Sequence, residues 1–417
     1  KRFHICFFSY QTKHILPHFL KVNSNTLTLT SDNRIQSIDI LRGILIILMA
    51  LDHVRDYFLT GAFAFSPTDP EKTYGALFIT RFITHICAPG FVWLAGVSAF
   101  IYFSKNGLKK SSAFLISRGF ILIVLEFTLI KLAWYFNLDY SNIALLVIWA
   151  LGLSMILLGL TSWLKQQTIF IIGIVIIIGH NLLDTFTADD LGMNSLLWHI
   201  LHQEGMVALT NNFRVMVLYP ILPMYGLICL GYGMGSLFTE DTKEERSKLF
   251  KRLSLLLLLS FITIRLVNAY GDPNPWVFNQ HSIRTLFSFF NVTKYPMSLD
   301  YILITLSIIF YLLSKVETST NKRTQYLSLF GKVSMFFYII HIFMIHIIAI
   351  GLYVLLNFNS IELSTIPIGI MEITNVHGYS LWFVYIVWLV VLIIVYPLCK
   401  KYRQLKLKHP NSFLKFI

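Results

Sequence analysis

The sequence predicts an all-α, polytopic membrane protein with about ten transmembrane helices. Of its 417 residues, 56% are hydrophobic and only 13% are charged, whereas about 25% of an average soluble domain is charged. A soluble chain of this length would form two or three domains, and each would need a charged shell. The apolar residues also occur in runs of about 20, the length of helix that crosses a bilayer core. These observations exclude an ordinary soluble enzyme.

Ten apolar runs are the candidate spans. In chain order they cover roughly 38–58, 80–103, 113–135, 142–163, 168–186, 215–237, 252–270, 298–315, 332–356 and 380–399. None alternates between apolar and polar residues as a barrel strand does. We therefore expect one membrane domain over 34–400, preceded by an extension over 1–33 and followed by a basic cytoplasmic tail over 401–417. The extension lacks the apolar core of a signal peptide.

The basic residues orient these spans. With the N-terminus placed in the cytoplasm, 26 of the 34 Lys and Arg residues lie in inner segments and eight lie in outer ones. Positive charge marks the cytoplasmic face of a membrane protein, so both termini are predicted to be cytoplasmic. The same bias accounts for most of the net charge of +13, and we expect no nucleic-acid partner.

The segments between the spans carry fewer signals. The outer loops 59–79, 187–214 and 271–297 are long enough to hold structure, and the stretch 196–209 is consistent with a short interfacial helix. The inner loop 239–252 has the composition of a solvated charge run. The four cysteines are scattered and form no CxxC pair, so we expect neither a disulfide framework nor a metal site.

The first span is the most heavily charged, and ionisable groups inside a membrane indicate function by default. At 100° per residue, Asp39, Arg42, His53 and Asp56 lie on one stripe of the helix. His53 lies about 16 Å beyond Arg42 along the axis. Asp39 and Arg42, three residues apart, are expected to pair. Asp52 lies about 100° off the stripe, which favours contact with other charged side chains of this span over contact with His53.

Two further spans are predicted to bring histidines to a similar depth. His85 lies near the outer entry of the second span, where Pro89 can kink or open the helix. Tyr338 and His341 share a face of the ninth span, and His341 reaches the depth of His53. Histidine suits general acid–base work because its pKa lies near neutral.

A structural role is the competing interpretation for each of these histidines, which would then only form hydrogen bonds between helices. We assign that structural role to His180, His199 and His202, and favour it for His346. Glu126 and Lys131, five residues apart on the third span, are interpreted as a structural pair.

Several motifs resemble the bacterial membrane proteins that have a heparan-α-glucosaminide N-acetyltransferase-type catalytic domain. These are RIQSIDILRGILIILMALDH (34–53), APGFVWLAG (88–96), YPILPMYGLICLGYGMG (219–235), NVTKYPMSL (291–299) and GKVSMFFYIIHIFMIH (331–346). That family is part of a wider set of transmembrane acyltransferases. In its acyltransferase-3 branch, an Arg precedes a His by the same spacing as Arg42 to His53. The animal lysosomal members differ, since they have Asn where this chain has His53.

The resemblance implies an acyl-CoA-dependent transmembrane acyltransferase of a bacterial inner (plasma) membrane. Acetyl-CoA would bind from the cytoplasm and the acetyl group would reach a sugar amine or hydroxyl, such as that of a glycan, on the outer face. His53 would act as general base or transient acyl acceptor, oriented by Asp52, Asp56 or His85. The residues expected at the acetyl-CoA site are Asp39, Arg42, Arg118, Lys332, Tyr338 and His341. A homodimer is left open.

Two other classes of function fit parts of the pattern. A proton-coupled small-molecule transporter would also carry an Asp/His/Arg stripe inside the membrane. A flippase or scaffold for an envelope glycan pathway would need no transfer chemistry. Neither of these needs a cytoplasmic CoA site, so acetyl-CoA binding separates them from the acyltransferase.

Overall fold

A computed structural model describes residues 35–319, 324–358, 367–376 and 378–409, together with 412 and 414. The described residues from Ile35 onward form one compact unit. The predicted extension over 1–33 lies outside the described residues. So do residues 410, 411, 413 and 415–417 of the predicted tail, into which the last helix continues as far as Lys408.

The described chain is mostly helical. Its first half contains α1 (Gln36–Phe58), α2 (Gly75–Thr84), α3 (Cys87–Asn106), α4 (Leu108–Leu125), α5 (Lys131–Tyr135), β1 (Asn142–Leu145), α6 (Val147–Thr161), α7 (Gln166–Gly179), α8 (Ser195–Leu201), β2 (Gly205–Thr210) and β3 (Phe213–Val217). The second half contains α9 (Ile221–Gly233), α10 (Leu237–Glu240), α11 (Lys243–Val267), α12 (Ser282–Phe290), α13 (Leu299–Val316), α14 (Thr324–Lys332), α15 (Ser334–Leu356), α16 (Ile370–Val376) and α17 (Leu381–Lys408). One π-helical turn, Glu126–Ile130, joins α4 to α5, and 3-10 turns cover His180–Thr185 and Asp189–Asn194.

Seven helical segments of the described chain are long and apolar enough to cross a membrane. They are Gly75–Asn106, Leu108–Tyr135, Gln166–Thr185, Ile221–Glu240, Leu299–Val316, Ser334–Leu356 and Leu381–Lys408. The protein is thus a helical integral membrane protein, as predicted. The other three predicted spans are also helical: α1 and α11 carry several charged side chains, and α6 has 15 residues. The number of ten spans and the orientation of the termini stay predictions.

A small three-stranded sheet is an addition that the sequence did not predict. Strand β3 pairs with β1 in parallel and with β2 antiparallel, so that the order is β1-β3-β2. We had assigned 142–145 and 215–217 to spans, and this was wrong. A short apolar run does not distinguish a strand from the start of a helix. The expected interfacial helix over 196–209 is helical only to Leu201 and then enters β2.

The inner segment 239–252 is also more ordered than a solvated charge run. Helix α11 begins there with a capping box, in which Thr242 and Glu245 each bind the other's backbone amide. These bonds lower the pKa of the exposed Glu245 carboxyl. Arg246 is buried and its Nη2 donates to Glu317 Oε2 at 2.8 Å, while Ser37 donates to the other oxygen of Glu317 at 2.7 Å. The interpretation of this segment as wholly solvated was therefore wrong.

Helix α1 is the central element. It packs against α2, α3, α13, α14, α15, α16 and α17. Its inner half meets α14 almost backbone to backbone, because two glycines face each other across the contact. A Cβ atom on Gly43 would lie 1.9 Å from the Leu327 carbonyl oxygen, and one on Gly331 would lie 1.9 Å from the Asp39 carbonyl oxygen.

We expect Gly43→Ala to destabilise the protein because its methyl group has no room against the α14 backbone. Overpacking of this kind costs about 1–3 kcal/mol, which thermal unfolding in detergent would detect as a lower midpoint. Gly351→Ala is the matched control, since Gly351 lies in helix α15 with nothing within 4 Å of the added Cβ atom. Equal stability of the two variants would contradict the proposed close contact.

Candidate active site

A hydrogen bond between two histidines lies at the centre of the candidate site. Nδ1 of His53 on α1 lies 2.8 Å from Nε2 of His341 on α15, and the two ring planes are nearly parallel with centroids 5.1 Å apart. The other nitrogen of His341, Nδ1, lies 2.8 Å from the Phe337 carbonyl oxygen. His341 is fully buried, whereas His53 is half-buried. Two of the three histidines expected to converge thus meet.

Aromatic side chains enclose His53. Trp134 packs edge-on against its ring at 4.9 Å and Tyr338 does so at 6.0 Å. Trp134 belongs to α5, directly after the π-helical turn, and π-helical turns are frequent at functional sites. The Tyr57 hydroxyl donates to the Trp134 carbonyl at 3.1 Å. The sequence analysis missed Trp134, because nothing in the sequence distinguishes it from other aromatic residues of the spans.

Asp52 is bound by two arginines and not by His53. Its Oδ1 lies 3.0 Å from Arg55 Nη1 and accepts a 3.1 Å hydrogen bond from Thr84, while its Oδ2 pairs with Arg81 of α2. Arg55 also contacts Asp56, with Nη2 2.6 Å from Oδ1. All these groups are at least partly buried. They form a compact network of alternating charges, in which each carboxylate has a cationic partner.

The side chain that hydrogen-bonds His53 differs from those expected. The sequence predicts that Asp52, Asp56 or His85 orients His53, and that His341 lies at the acetyl-CoA site. In the structure His341 makes the hydrogen bond, and the two carboxylates are bound by arginines. The reason is angular, since Asp52 lies about 100° around the helix from its neighbour His53.

His85 lies where the second predicted span is interrupted, between α2 and α3. Pro89 has no N–H group, so it cannot donate to the carbonyl four residues earlier, which is that of His85. The Tyr301 hydroxyl of α13 donates to this carbonyl at 2.7 Å instead. The His85 ring is buried, and its Nδ1 has no hydrogen-bond partner in the described chain. Pro89 therefore opens the helix as expected, and the Tyr301 hydroxyl provides the hydrogen bond that the His85 carbonyl would otherwise lack.

The N-terminal end of α1, predicted to lie at the inner face, holds the expected ion pair. Arg42 Nη1 lies 3.6 Å from Asp39 Oδ1, and Nη2 donates to the Ser98 hydroxyl on α3. Lys332 directly follows Gly331, whose backbone touches the Asp39 carbonyl. The backbones of Asp39, Gly331 and Lys332 thus lie close together. Arg118 is half-buried on α4.

Lys294 and Tyr295 form a further charged part of the site, which the sequence analysis did not assign. The Lys294 ammonium lies 5.0 Å from the centroid of the Tyr295 ring, and the Tyr295 hydroxyl lies 3.4 Å from that of Tyr219. The charge of Lys294 acts on Asp52 and His53. The motif NVTKYPMSL contributes to the family resemblance, but its lysine carries no signal of its own.

Three of the other histidines have hydrogen bonds typical of structural residues. His346 reaches the carbonyl oxygens of Ala133 and Ile368 at 2.9 and 2.6 Å. His202 binds Asp184 at 2.8 Å, and His199 binds the Gln203 carbonyl at 3.0 Å. The His180 ring lies 5.7 Å from that of His202, but neither of its nitrogens has a hydrogen-bond partner in the described chain, so its structural role stays a prediction.

The interpretation of Glu126 and Lys131 as a pair was wrong. Glu126 accepts from the backbone amide of Trp149 at 2.9 Å, and Lys131 donates to the Asn142 carbonyl at 3.2 Å. Residues five apart lie about 140° apart around an α-helix, and both side chains bind backbone groups of the segment 142–149 instead. Among the residues that the structure describes, no group of three or more His, Cys, Asp and Glu side chains is arranged to hold a metal ion.

Comparison with known proteins identifies the domain. A family model described as heparan-alpha-glucosaminide N-acetyltransferase, catalytic, matches residues 34–270. The match covers more than half of the chain and includes α1 with His53, the Arg81 network and His85. No curated protein matches the chain.

We expect Asp52→Asn to lower stability strongly, because it leaves Arg55 and Arg81 buried without their shared carboxylate. Breaking a buried ion pair from one side costs about 3–5 kcal/mol. Glu71→Gln is the matched control, since the pair of Glu71 with Arg284 is exposed and such pairs contribute about 0–1 kcal/mol. Thermal unfolding in detergent compares the two, and a similar shift for both would contradict the role of Asp52.

Proposed function

The chain belongs to the family of the heparan-alpha-glucosaminide N-acetyltransferase catalytic domain, and on this basis we propose that it transfers an acetyl group from acetyl-CoA with His53 as the general base. The family supports a transmembrane acetyltransferase in general terms. The observation that supports the role of His53 most directly is the hydrogen-bonded chain from His53 through His341 to the Phe337 carbonyl.

This chain of hydrogen bonds defines the tautomer of His53. A carbonyl oxygen only accepts hydrogen bonds, so Nδ1 of His341 carries a proton toward Phe337. In neutral His341, Nε2 then has a lone pair and accepts from Nδ1–H of His53. Neutral His53 is left with its own lone pair on Nε2, which makes no hydrogen bond within the described chain. An oriented imidazole with one free lone pair is what a general base requires.

In the proposed reaction, Nε2 of His53 removes the proton from the acceptor's hydroxyl or amine as that atom attacks the acetyl carbonyl carbon. The carbon–sulfur bond breaks, and His53 returns the proton to the leaving CoA sulfur. The products are CoA thiol and the acetylated acceptor. Asp52 and Asp56 take no proton in this scheme, because their arginine partners stabilise them as carboxylates. They hold the outer half of α1 in place, and His85 lies beside the network.

A two-step route uses the same lone pair. Nε2 of His53 would first attack the acetyl carbonyl carbon, the carbon–sulfur bond would break and CoA would leave. The acceptor's oxygen or nitrogen would then attack the same carbon and release His53. Mass spectrometry of protein mixed with acetyl-CoA alone separates the routes, since only the two-step route leaves acetyl on His53 before an acceptor is added.

For the acetyl-CoA donor we propose a site at the inner end of α1. Arg42 is placed to bind a CoA phosphate there, because guanidinium pairs well with phosphate. Asp39 holds Arg42, and the backbone of Lys332 lies beside Asp39. Arg118 is proposed as a further cation at the same face. The acetyl end would then cross about 16 Å along α1 to reach His53, where Tyr338 lies at the edge of the ring.

The sidedness completes the proposal. The inner site faces the cytoplasm and the acceptor, a sugar amine or hydroxyl, binds from the outer face of a bacterial inner membrane. The predicted distribution of Lys and Arg supports this orientation. A proton-coupled carrier remains the alternative, and it predicts substrate uptake without acetyl transfer.

We expect His53→Gln to reduce acetyl transfer by about 10²- to 10⁴-fold, the usual contribution of a general base. The assay is release of CoA thiol in the presence of sugar acceptors, with binding of acetyl-CoA retained. His281→Gln is the matched control, because His281 is exposed in an outer loop. Full activity of a folded His53→Gln protein would sink the proposed mechanism.

A further inference from the structure

The cations around His53 outnumber the carboxylates in the described part of the chain. Asp52 is shared by Arg55 and Arg81, and Asp56 is bound by Arg55. These four groups neutralise one another. Lys294 is left with its positive charge, and no described carboxylate lies within ion-pair distance of it.

The nearest acidic residue of the same loop is engaged elsewhere. Asp272 accepts hydrogen bonds of 2.7 Å from the Thr293 amide, the Thr293 hydroxyl and the Ser298 hydroxyl. These bonds fix the backbone on both sides of Lys294. The Lys294 ammonium is thus held in place over the Tyr295 ring, and Asp272 is not free to neutralise it.

The pKa of the Tyr295 hydroxyl is consistent with a net positive charge around Lys294. Burial alone would raise its pKa, but the charges of Lys294 and Arg81, together with hydrogen bonds from Tyr219 and Lys294, lower the pKa. The charge of Lys294 also acts on Asp52, His53 and His85. A half-buried cation of this kind is stabilised by an anion that enters with a ligand, because a charge away from bulk water is costly unless it is paired.

We propose that Lys294, over the Tyr295 ring, forms a subsite for a single anionic group carried by the acceptor, such as a carboxylate, sulfate or phosphate. The inference rests on the proposed function, since it assigns part of the acceptor site of the same enzyme. The Tyr295 and Tyr219 hydroxyls, 3.4 Å apart, lie next to the ammonium as additional donors. A charged substituent bound here would hold the neighbouring hydroxyl or amine of the sugar close to the base.

Lys294 could instead stabilise the negative charge that develops on the acetyl oxygen during transfer. The two roles differ in their dependence on the acceptor. A subsite for an anionic substituent matters only for acceptors that carry one, whereas stabilisation of the acetyl oxygen matters for every acceptor.

The test compares acetyl transfer to glucosamine and to glucosamine 6-phosphate in wild type, Lys294→Met, Lys294→Arg and Lys72→Met. We expect Lys294→Met to lower kcat/KM for the phosphorylated acceptor by roughly 10- to 100-fold, the effect of one charged hydrogen bond. Its loss on glucosamine should be at least tenfold smaller, and Lys294→Arg should retain the preference for the charged acceptor. Lys72 is an exposed lysine of another outer loop, and Lys72→Met should behave as wild type.

Two results would overturn the proposal. An equal loss on both acceptors would assign Lys294 to the acetyl oxygen, and no loss on either would leave it without a role in the reaction.

If wild type acetylates neither sugar, the acceptor class in the proposed function fails, and binding of inorganic phosphate at constant ionic strength tests the subsite alone. Thermal stabilisation by phosphate that is lost in Lys294→Met and retained in Lys72→Met would support the subsite. Equal stabilisation of both variants, or none in wild type, would overturn it.

Discussion

The structure depends on the pairing of the buried charged side chains of α1 with side chains of opposite charge. Moving a charged side chain out of water costs several kcal/mol unless a partner of opposite charge is present. Each end of α1 meets this constraint in its own way. At the N-terminal end Arg42 pairs with Asp39 within the helix, and at the C-terminal end Asp52 pairs with Arg81 of α2. The charges thus fix how α1 sits against its neighbours.

The same constraint gives the carboxylates and the histidines of the site different roles. Arg55 and Arg81 form ion pairs with Asp52 and Asp56, so these carboxylates stabilise the contacts between helices. His53 therefore forms its hydrogen bond with a different residue. That residue is His341, a neutral group that adds no charge to the membrane interior. A histidine pair can thus orient a base where a free carboxylate beside it would be costly. Lys294, outside this balance, supplies the site with a net positive charge.

The sequence was most informative about relations within one helix. The Asp39–Arg42 pair, the angular offset of Asp52 from His53 and the opening of the helix at Pro89 all follow from helix geometry and local chemistry. The similar depth of His53 and His341 followed from counting residues along two spans. Which side chain meets which could not be predicted, because Trp134, Arg81 and Lys294 reach the site only through tertiary packing. The sheet was missed because its strands are short apolar runs beside spans. The Glu126–Lys131 pairing failed because both side chains bind backbone groups of the segment 142–149.

We propose above all that acetyl-CoA binds at the inner end of α1, with its acetyl group beside His53. The most direct test of this proposal is calorimetry of acetyl-CoA binding in nanodiscs, for wild type and Arg42→Ala, since this measurement requires no knowledge of the acceptor. The account predicts saturable binding by wild type that is at least tenfold weaker in the variant, the loss of one charge-assisted contact to phosphate. A folded wild-type protein that binds no acetyl-CoA would contradict the account and favour a carrier.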